Sequence, residues 1–416
     1  MISTVILPIG GKGTRMREKS IHPKLLINLN GFPLIYYTIS YLAKQKVKNI
    51  FFISNKSSHE IEKYVIDLCP KLNLKYQILH ERELKGNLGG IIENFNSLPE
   101  NFLVIYPDII WTCDLSRIFK YHFQSQALIT LVVRRTDHPE DSDTLKLNPL
   151  MSVKSIFSKE NKTICNSLEN YDLLGATGIY IMNKTYLQLC IQNLNKISKK
   201  TEIDLFQTIE SLWNNENLHI SAYITNEFIK DCGTPKRFKL VEKIMKEDNI
   251  FNSNYKNKQK IIFIDRDGTL IKNKNKNYLT SPDEVELNES MLSYYEKYTS
   301  DGYTPIVVTN QPQVSFGLIN FETLDMIHCK IQQLLTEKKL TKIFKFLICP
   351  HHPHNGFKNE ISFLKFTCAC RKPNIGLFNE VERFIKVDKK KSIMFGDSFR
   401  DREFAENCGI NFQLIK

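Results

Sequence analysis

The sequence predicts an α/β protein of two domains. Three observations lead there: short β-branched runs alternate with segments of helical period, the alternation lapses in a polar stretch and then restarts, and the chain exceeds one ordinary core. With about 150 residues to a domain, 416 residues make two or three. The boundaries are read as 1–246 for the first domain, 247–259 for a linker and 260–416 for the second.

In the first domain STVILPI (3–9) reads as a strand. A glycine loop follows, then FPLIYYTISYLAK (32–44), where Ile35, Ile39 and Leu42 share one helical face. NIFFIS (49–54) is the next strand, and Ile61, Val65 and Leu68 mark the helix after it. YQILH, FLVIYPD and ALITLVVRR continue as strands, and GIYIMN (178–183) and HISAYIT (219–225) extend the sheet. Such alternation predicts a mostly parallel sheet covered on both faces. EDNIFNSNYKNKQK (247–260) is polar and without sustained period, which marks the linker. Beyond it KIIFIDRD, TPIVVTN, FKFLICP and KSIMFGD are buried-type strands, and Leu324, Ile327, Ile331 and Leu334 mark a helix between the second and third.

Composition narrows the class of function. Apolar and charged fractions of 42% and 25% are those of a globular protein, which excludes disordered and fibrous chains. A net charge of +12 suits nucleic acid, an acidic membrane or small phosphorylated molecules. Much of that excess lies in Asn/Lys-rich loops such as 272–277, where a solvated surface accounts for it. No aromatic and basic platform or recognition helix stands out, so nucleic acid is not an expected partner. No apolar run is long enough to span a membrane, and MISTVILPIGG is too short and lacks the basic flank of a signal peptide. The expected location is cytoplasmic. Ten cysteines are scattered singly apart from Cys349, Cys368 and Cys370, a pattern of reduced thiols plus one metal site rather than a disulfide scaffold.

The first chemical signal is IGGKGTRM (9–16), directly after a strand. Gly10, Gly11 and Gly13 allow backbone N–H groups to cradle phosphates, while Lys12 and Arg15 neutralise them. The spacing fits neither GxGxxG nor the P-loop. HPKLL a short way on brings Lys24 towards the same phosphates.

These residues resemble the sugar-1-phosphate nucleotidyltransferases, whose signature is a GGxGTR loop followed by PK, over roughly residues 1–240. Further marks stand in the family's order. KGNLGG (85–90) resembles the segment facing the nucleobase, with Gly86 and Gly89. GATGIYI (175–181), opening at Gly175, resembles the strand lining the sugar pocket, KTEID with Glu202 the acidic stretch near the sugar, and KDCGTP the D-x-GTP motif. The resemblance implies a Rossmann-like fold and in-line attack of a sugar 1-phosphate on the α-phosphate of a nucleoside triphosphate. It implies that Asp108 and Asp231 hold Mg²⁺, that Arg15 steadies the leaving pyrophosphate, and that Lys24 bridges the reacting phosphates. One departure is Tyr106-Pro107 before Asp108, where the family has Gly; proline removes a donor there.

The second signal is IIFIDRDGTL (261–270), two aspartates two residues apart at the end of an apolar strand. A carboxylate there can attack phosphorus while its neighbour protonates the leaving oxygen. DxDGT is identified as the nucleophile motif of the haloacid-dehalogenase-like phosphatases. That resemblance implies a second Rossmann-like domain with Asp265 as nucleophile, Asp267 as acid and base, Thr309 on the transferring phosphoryl group and Lys372 as the positive charge. Asp265, Asp267 and Asp397 would hold Mg²⁺, with Asp401 close behind. CPHHP, CACRKP and TNQ are similar to the histidinol-phosphate and heptose-bisphosphate phosphatase branch. There Cys349, His351, Cys368 and Cys370 would bind a structural Zn²⁺, with His352 and His354 to spare. Asn310, Gln311 and Arg371 are the expected substrate contacts. After TNQ the branch has SGIxRG and this chain has PQVSFG, with Gln313 for Gly and Phe316 for Arg.

Together the resemblances imply two successive steps towards a GDP-activated heptose for surface polysaccharide or glycoprotein. The 7-phosphate is removed from heptose 1,7-bisphosphate, then GMP is transferred from GTP to the 1-phosphate. Alternatives are an ADP-heptose route, a hexose phosphate in place of heptose, and one half serving as a degenerate binding or scaffold module. The expected partners are small molecules, a nucleoside triphosphate and sugar phosphates, with a homo-oligomer left open.

Overall fold

The computed structural model describes residues 4–11, 23–82, 86–136, 142–148, 152–159, 172–194, 202–213, 215–247, 250–273 and 278–416. β-Branched and aromatic runs form the strands of a nine-stranded sheet: β1 (Thr4–Pro8), β4 (Asn49–Ser54), β5 (Lys75–His80), β6 (Asn101–Ile105), β8 (Ile129–Arg135), β9 (Thr144–Leu147), β10 (Val153–Phe157), β11 (Leu174–Asn183) and β12 (Ile220–Ile224). Two short ribbons stand apart, β2 (Asn28–Leu29) with β3 (Phe32–Pro33), and β7 (Ile109–Trp111) with β13 (Ile229–Asp231). The helix Leu34–Lys44 buries Ile35, Ile39 and Leu42, and the helix His59–Lys71 buries Ile61, Val65 and Leu68.

The sheet is mixed, which differs from the mostly parallel sheet that alternation predicts. β5, β4, β1 and β6 run parallel, and β12 runs parallel to β8. The long β11 instead lies antiparallel to β6, β8 and β9. A sheet buried on both faces carries the same apolar runs in either direction, so hydrophobic pattern cannot separate the two cases. β11 also changes register between Ala176 and Tyr180, where Gly178 takes φ +85 and its carbonyl accepts from Tyr106 N at 2.9 Å. Glycine adopts that backbone at no steric cost.

The second sheet has five strands, all parallel: β14 (Ile261–Ile264), β15 (Thr304–Asn310), β16 (Lys345–Cys349), β17 (Ile393–Gly396) and β18 (Asn411–Leu414), in the order β16-β15-β14-β17-β18. The chain leaves central β14 first to one side and later to the other, which opens a crevice at the strands' carboxyl ends. Asp265, Thr309, Cys349 and Asp397 all stand at those ends. The helix Phe321–Glu337 buries Leu324, Ile327 and Ile331, while Leu335 rather than Leu334 completes its inner face.

Residues 250–259 are turns, yet they are docked. Ile250 is buried, the Arg117 guanidinium lies 3.2 Å over the Tyr255 ring, and buried Glu227 accepts from Tyr255 N at 3.0 Å. The two sheets' layers also meet directly. Arg117 donates to Phe384 O at 3.2 Å, Arg135 to Phe344 O at 3.1 Å, and Lys146 pairs with Asp325 at 2.7 Å with side-chain exposures of 1% and 7%. Among the described residues no helix is long and apolar enough to cross a membrane.

Removing one partner of a buried ion pair leaves the other charge desolvated and costs about 3–5 kcal/mol. Asp325→Ala is therefore expected to lower unfolding stability by about 3 kcal/mol, read as a lower urea midpoint. An unchanged midpoint would show that the Lys146 contact carries no stability.

Candidate active sites

The first site gathers at the carboxyl ends of β1, β4, β5 and β6. Gly10 follows β1, and its carbonyl accepts from Asn55 Nδ2 at 2.6 Å. A Cβ on Gly10 would lie 2.4 Å from Asn55 Nδ2 and 2.6 Å from Glu81 Oε1, whereas Gly11 is exposed with nothing within 4 Å. Gly10 thus fits against its neighbours and Gly11 faces open space. Lys12, Gly13 and Arg15 lie outside the described residues.

Lys24, Asp108 and Asp231 come together as neighbours. Lys24 Nζ stands 2.5 Å from Asp108 Oδ2. The β7–β13 ribbon sets Asp231 opposite Ile109, and Cys232 N donates to Asp108 O at 2.8 Å. A Cβ on Gly233 would lie 2.8 Å from Asp231 Oδ1 and 3.8 Å from Lys24 Nζ, so small residues keep this corner open. Arg237, which sequence reading missed, donates to Asp231 Oδ1 at 3.2 Å. Pro107 is buried, and Tyr106 N just before it donates to Gly178 O of β11 at 2.9 Å. Two carboxylates beside a lysine suit a hard divalent cation carrying phosphates.

The glycine segment docks on the acidic stretch. Gly86 takes φ +81, and a Cβ there would lie 2.7 Å from Ile203 O. Asn87 Nδ2 donates to Asp204 Oδ2 at 2.6 Å, and Leu88 N to Ile203 O at 3.1 Å. Gly89 is buried in the helix Gly86–Glu93, Gly175 packs against Thr136, and Glu202 is exposed two residues ahead of Asp204. Glu81 was not singled out from sequence. It is 7% exposed at the end of β5, and a Cβ on Gly90 would lie 2.6 Å from its Oε2. Burial raises its carboxyl above the usual range, with the hydrogen bond from Asn55 opposing. A carboxylate walled by two glycine backbones had no local spacing to announce it.

The second site is more deeply set. Lys372 Nζ donates to Asp265 Oδ1 and to Asp401 Oδ1, each at 2.6 Å. Burial raises Asp265 to about 7 against the pull of Lys372, with Asp401 and Asp267 adding to the rise. On Lys372, burial works downward, but Asp265 and Asp401 outweigh it and hold the ammonium charged. Asp401 is fixed in turn by Ser398 Oγ at 2.5 Å. Carboxylate oxygens of Asp265, Asp397 and Asp401 lie within 4.8 Å of one another, which fits a hard cation such as Mg²⁺. Gly268, at φ +84, has no room for a Cβ, which would stand 2.1 Å from Asp397 Oδ2.

Asp267 faces the same crevice and is held from two sides. Arg266, wholly buried, grips it with two nitrogens, NH2 reaching Oδ1 at 2.9 Å and Nε at 3.1 Å. Gln311 Nε2 donates to Asp267 Oδ2 at 2.6 Å and to Thr309 Oγ1 at 2.9 Å. Asn310 Oδ1 accepts from Lys372 N at 2.9 Å, tying β15 to the lysine loop. The roles of Arg266 and Asp401 as holders rest on tertiary contacts that motif spacing does not encode.

The cysteines and histidine form a third cluster. Cys370 Sγ lies 3.3 Å from Cys349 Sγ and 3.3 Å from Cys368 Sγ, and His351 Nδ1 lies 3.2 Å from Cys370 Sγ. All four donor atoms fall within 4.8 Å of one another, the size of a tetrahedral set around one soft-accepting ion. Thiol contacts from Cys349 lower Cys370 to about 5. His352 and His354 face each other instead, ring centroids 5.0 Å apart. Arg371 NH1 donates to His351 O at 3.2 Å, so the cluster sets the loop that carries Lys372. The departing loop is packed shut, with Phe316 2% exposed and stacked on Phe357 at 3.7 Å.

Comparison with known proteins gives a family for each half of the chain. Residues 3–247 match the family described as nucleotidyl transferase, and residues 260–414 match that described as polynucleotide kinase 3 phosphatase. The D-glycero-alpha-D-manno-heptose-1,7-bisphosphate 7-phosphatase of Photorhabdus laumondii is 32% identical over 154 residues, 37% of this chain and 80% of its own. The chain belongs to both the nucleotidyl transferases and these 7-phosphatases. A D-glycero-beta-D-manno-heptose-1,7-bisphosphate 7-phosphatase of Bordetella bronchiseptica is 31% identical over 157 residues, covering 38% of this chain and 80% of that one. Over 60% of this chain and 100% of its own, the solved structure of UDP-glucose pyrophosphorylase complexed with UDP-glucose superposes with a TM-score of 0.51 at 17% identity, which shows the fold. This nucleotidyltransferase–phosphatase chain therefore has a transferase half and a phosphatase half.

Each half has a glycine whose substitution should silence it alone, since misplacement by about 1 Å costs roughly 100-fold in rate. Gly10→Ala is expected to cut nucleotidyl transfer by about 100-fold and spare phosphate release. Gly268→Ala should do the reverse. Parallel assays of pyrophosphate and phosphate decide it, and equal losses of both activities in either variant would argue against two independent sites.

Proposed function

We propose that the phosphatase half removes the 7-phosphate of D-glycero-D-manno-heptose 1,7-bisphosphate and that the transferase half moves GMP from GTP onto the heptose 1-phosphate left behind. The observation that carries this reading is the fusion itself: one chain holds a domain of the heptose-bisphosphate 7-phosphatases and a domain of the family that consumes sugar 1-phosphates. The first product is the second substrate.

In the phosphatase half, Asp265 attacks phosphorus and forms an aspartyl phosphate, while Asp267 gives its proton to the departing O7. Asp267 then takes a proton from water, which attacks the same phosphorus and frees Asp265. Lys372 and the Thr309 hydroxyl balance the phosphoryl charge, and Arg266 with Gln311 keeps Asp267 aimed at the crevice. Asp265 and Asp397 at this site, with Asp401 rather than the expected Asp267 as the third clustered carboxylate, and Asp108 with Asp231 at the other, would hold Mg²⁺, which when bound neutralises phosphate oxygens. In the transferase half the 1-phosphate oxygen attacks the α-phosphorus of GTP in line and pyrophosphate leaves, with Lys24 placed to steady both phosphates.

The guanine preference is supported by Glu81. A carboxylate only accepts hydrogen bonds, and the guanine edge offers two adjacent donors, N1–H and the N2 amino group. Adenine and cytosine present an acceptor at the matching ring nitrogen, and uracil places acceptors on both sides of its single donor. Cys349, His351, Cys368 and Cys370 would hold a structural zinc, because four protein donors leave no position for water.

Incubation with heptose 1,7-bisphosphate in both anomers, Mg²⁺ and each triphosphate should yield phosphate, pyrophosphate and a GDP-sugar. Phosphate release with no nucleotide-sugar from any triphosphate would sink the bifunctional reading. Asp265→Asn should stop phosphate release while heptose 1-phosphate is still converted. Glu81→Gln should cut discrimination for GTP about tenfold or more, the scale of one mispaired base-edge contact. Elemental analysis should find one zinc per chain, falling in Cys370→Ser; a folded chain free of zinc after purification without chelators would falsify the clip.

A further inference from the structure

The turn after β15 holds a buried amide that the cleavage chemistry leaves unexplained. Gln313 stands where the resembling phosphatases have glycine, and it is 1% exposed, while Gln311 is wholly buried. Both sit on a fixed backbone. Gln311 N donates to Cys349 O at 2.7 Å, and Gln313 O accepts from Leu318 N at 2.9 Å. Phe316 N closes the short helix Pro312–Ser315 on Pro312 O at 2.9 Å. A buried polar side chain needs a partner, and Gln313 finds one in its neighbour, its Nε2 donating to Gln311 Oε1.

That contact decides which way round the Gln311 amide lies. An amide donates at one end and accepts at the other, and the two ends have nearly the same shape, so partners set its sense. Gln311 Nε2 gives one hydrogen to Asp267 Oδ2 at 2.6 Å and the other to Thr309 Oγ1 at 2.9 Å. Turned over, Gln311 would set its oxygen against a carboxylate and would draw the Thr309 hydroxyl hydrogen to itself. Gln313 opposes that turn, because its amino group would then meet another amino group. In the observed sense the Thr309 hydroxyl accepts from Gln311 and keeps its own hydrogen for another acceptor.

We propose that Gln313 is a positioning residue of the phosphatase half: it locks the sense of the Gln311 amide, so that this one amide aims Asp267 and leaves Thr309 to donate to the transferring phosphoryl group. This rests on the phosphatase reading, in which Asp267 moves the proton and Thr309 meets the phosphoryl oxygens, and not on the identity of the sugar. Gln311 then serves the substrate through Thr309 rather than by touching it. Glycine at 313 would leave room for a water that could donate to Gln311 Oε1; glutamine builds that donor into the chain.

The test is hydrolysis of phenyl phosphate, p-nitrophenyl phosphate and heptose 1,7-bisphosphate by the full chain with Mg²⁺. Gln313→Met keeps the volume and removes the donor. Its kcat on phenyl phosphate should fall at least about tenfold, part of what a well-placed general acid contributes, with KM changed by no more than about twofold. The fall should be smaller on p-nitrophenyl phosphate, whose leaving oxygen departs without a proton. Gln313→Gly admits water and should lose only about threefold, the scale of one net hydrogen bond. Packing alone predicts the reverse order, since methionine fills the space and glycine empties it. Full activity in Gln313→Met, equal losses on the two aryl esters, or a greater loss in Gln313→Gly than in Gln313→Met overturns the proposal. The order of the two variants is read on any of the three substrates that the unmodified chain turns over; phosphate release from none of them overturns the phosphatase reading itself.

Discussion

One ammonium group anchors the phosphatase half. Lys372 Nζ sits buried between Asp265 and Asp401, and without it two carboxylates would face each other in a dry crevice. Each surrounding device serves that contact. Asn310 ties the lysine backbone to β15, Ser398 turns Asp401 towards it, and the cysteine and histidine cluster holds the loop just ahead of it. The strand order supplies the rest, because residues leaving β14, β15 and β17 at the same end converge without long side-chain reach.

The transferase half solves a different problem. Its site is built on space and close backbone approach more than on a tuned acid. Gly10, Gly90 and Gly233 each stand where a methyl group would strike Asn55, Glu81 or Asp231. The chain is thus shaped by what is left out as much as by what it presents, and the ribbon of β7 with β13 brings a distant aspartate beside Lys24.

Much of this was legible in the sequence because some chemistry is local. DxDGT, PK and the paired cysteines are short motifs, and their residues stay near one another after folding. The direction of β11 was not legible, since buried strands look alike whichever way they run. Glu81, Arg237, Arg266 and the clamp on Asp401 also escaped notice. Each acts through partners brought in by topology, so neither spacing nor period marks it. Polar composition without a sustained period marks the linker; Tyr255 and Ile250 give it a footing that only the packed structure reveals.

That footing changes what the fusion is. Arg135 and Thr136, whose backbone carbonyl accepts from Lys342, border the Gly175 end of β11, the strand lining the expected sugar pocket. The phosphatase surface therefore buttresses that end of β11. Severing the chain between Glu247 and Gln259 would not liberate two finished enzymes; it would strip a supporting face from one and uncover a charged, desolvated seam on both. Substitutions that drift into that seam in one half constrain what the other half can accept, so the two catalysts share a mutational fate as well as a peptide bond.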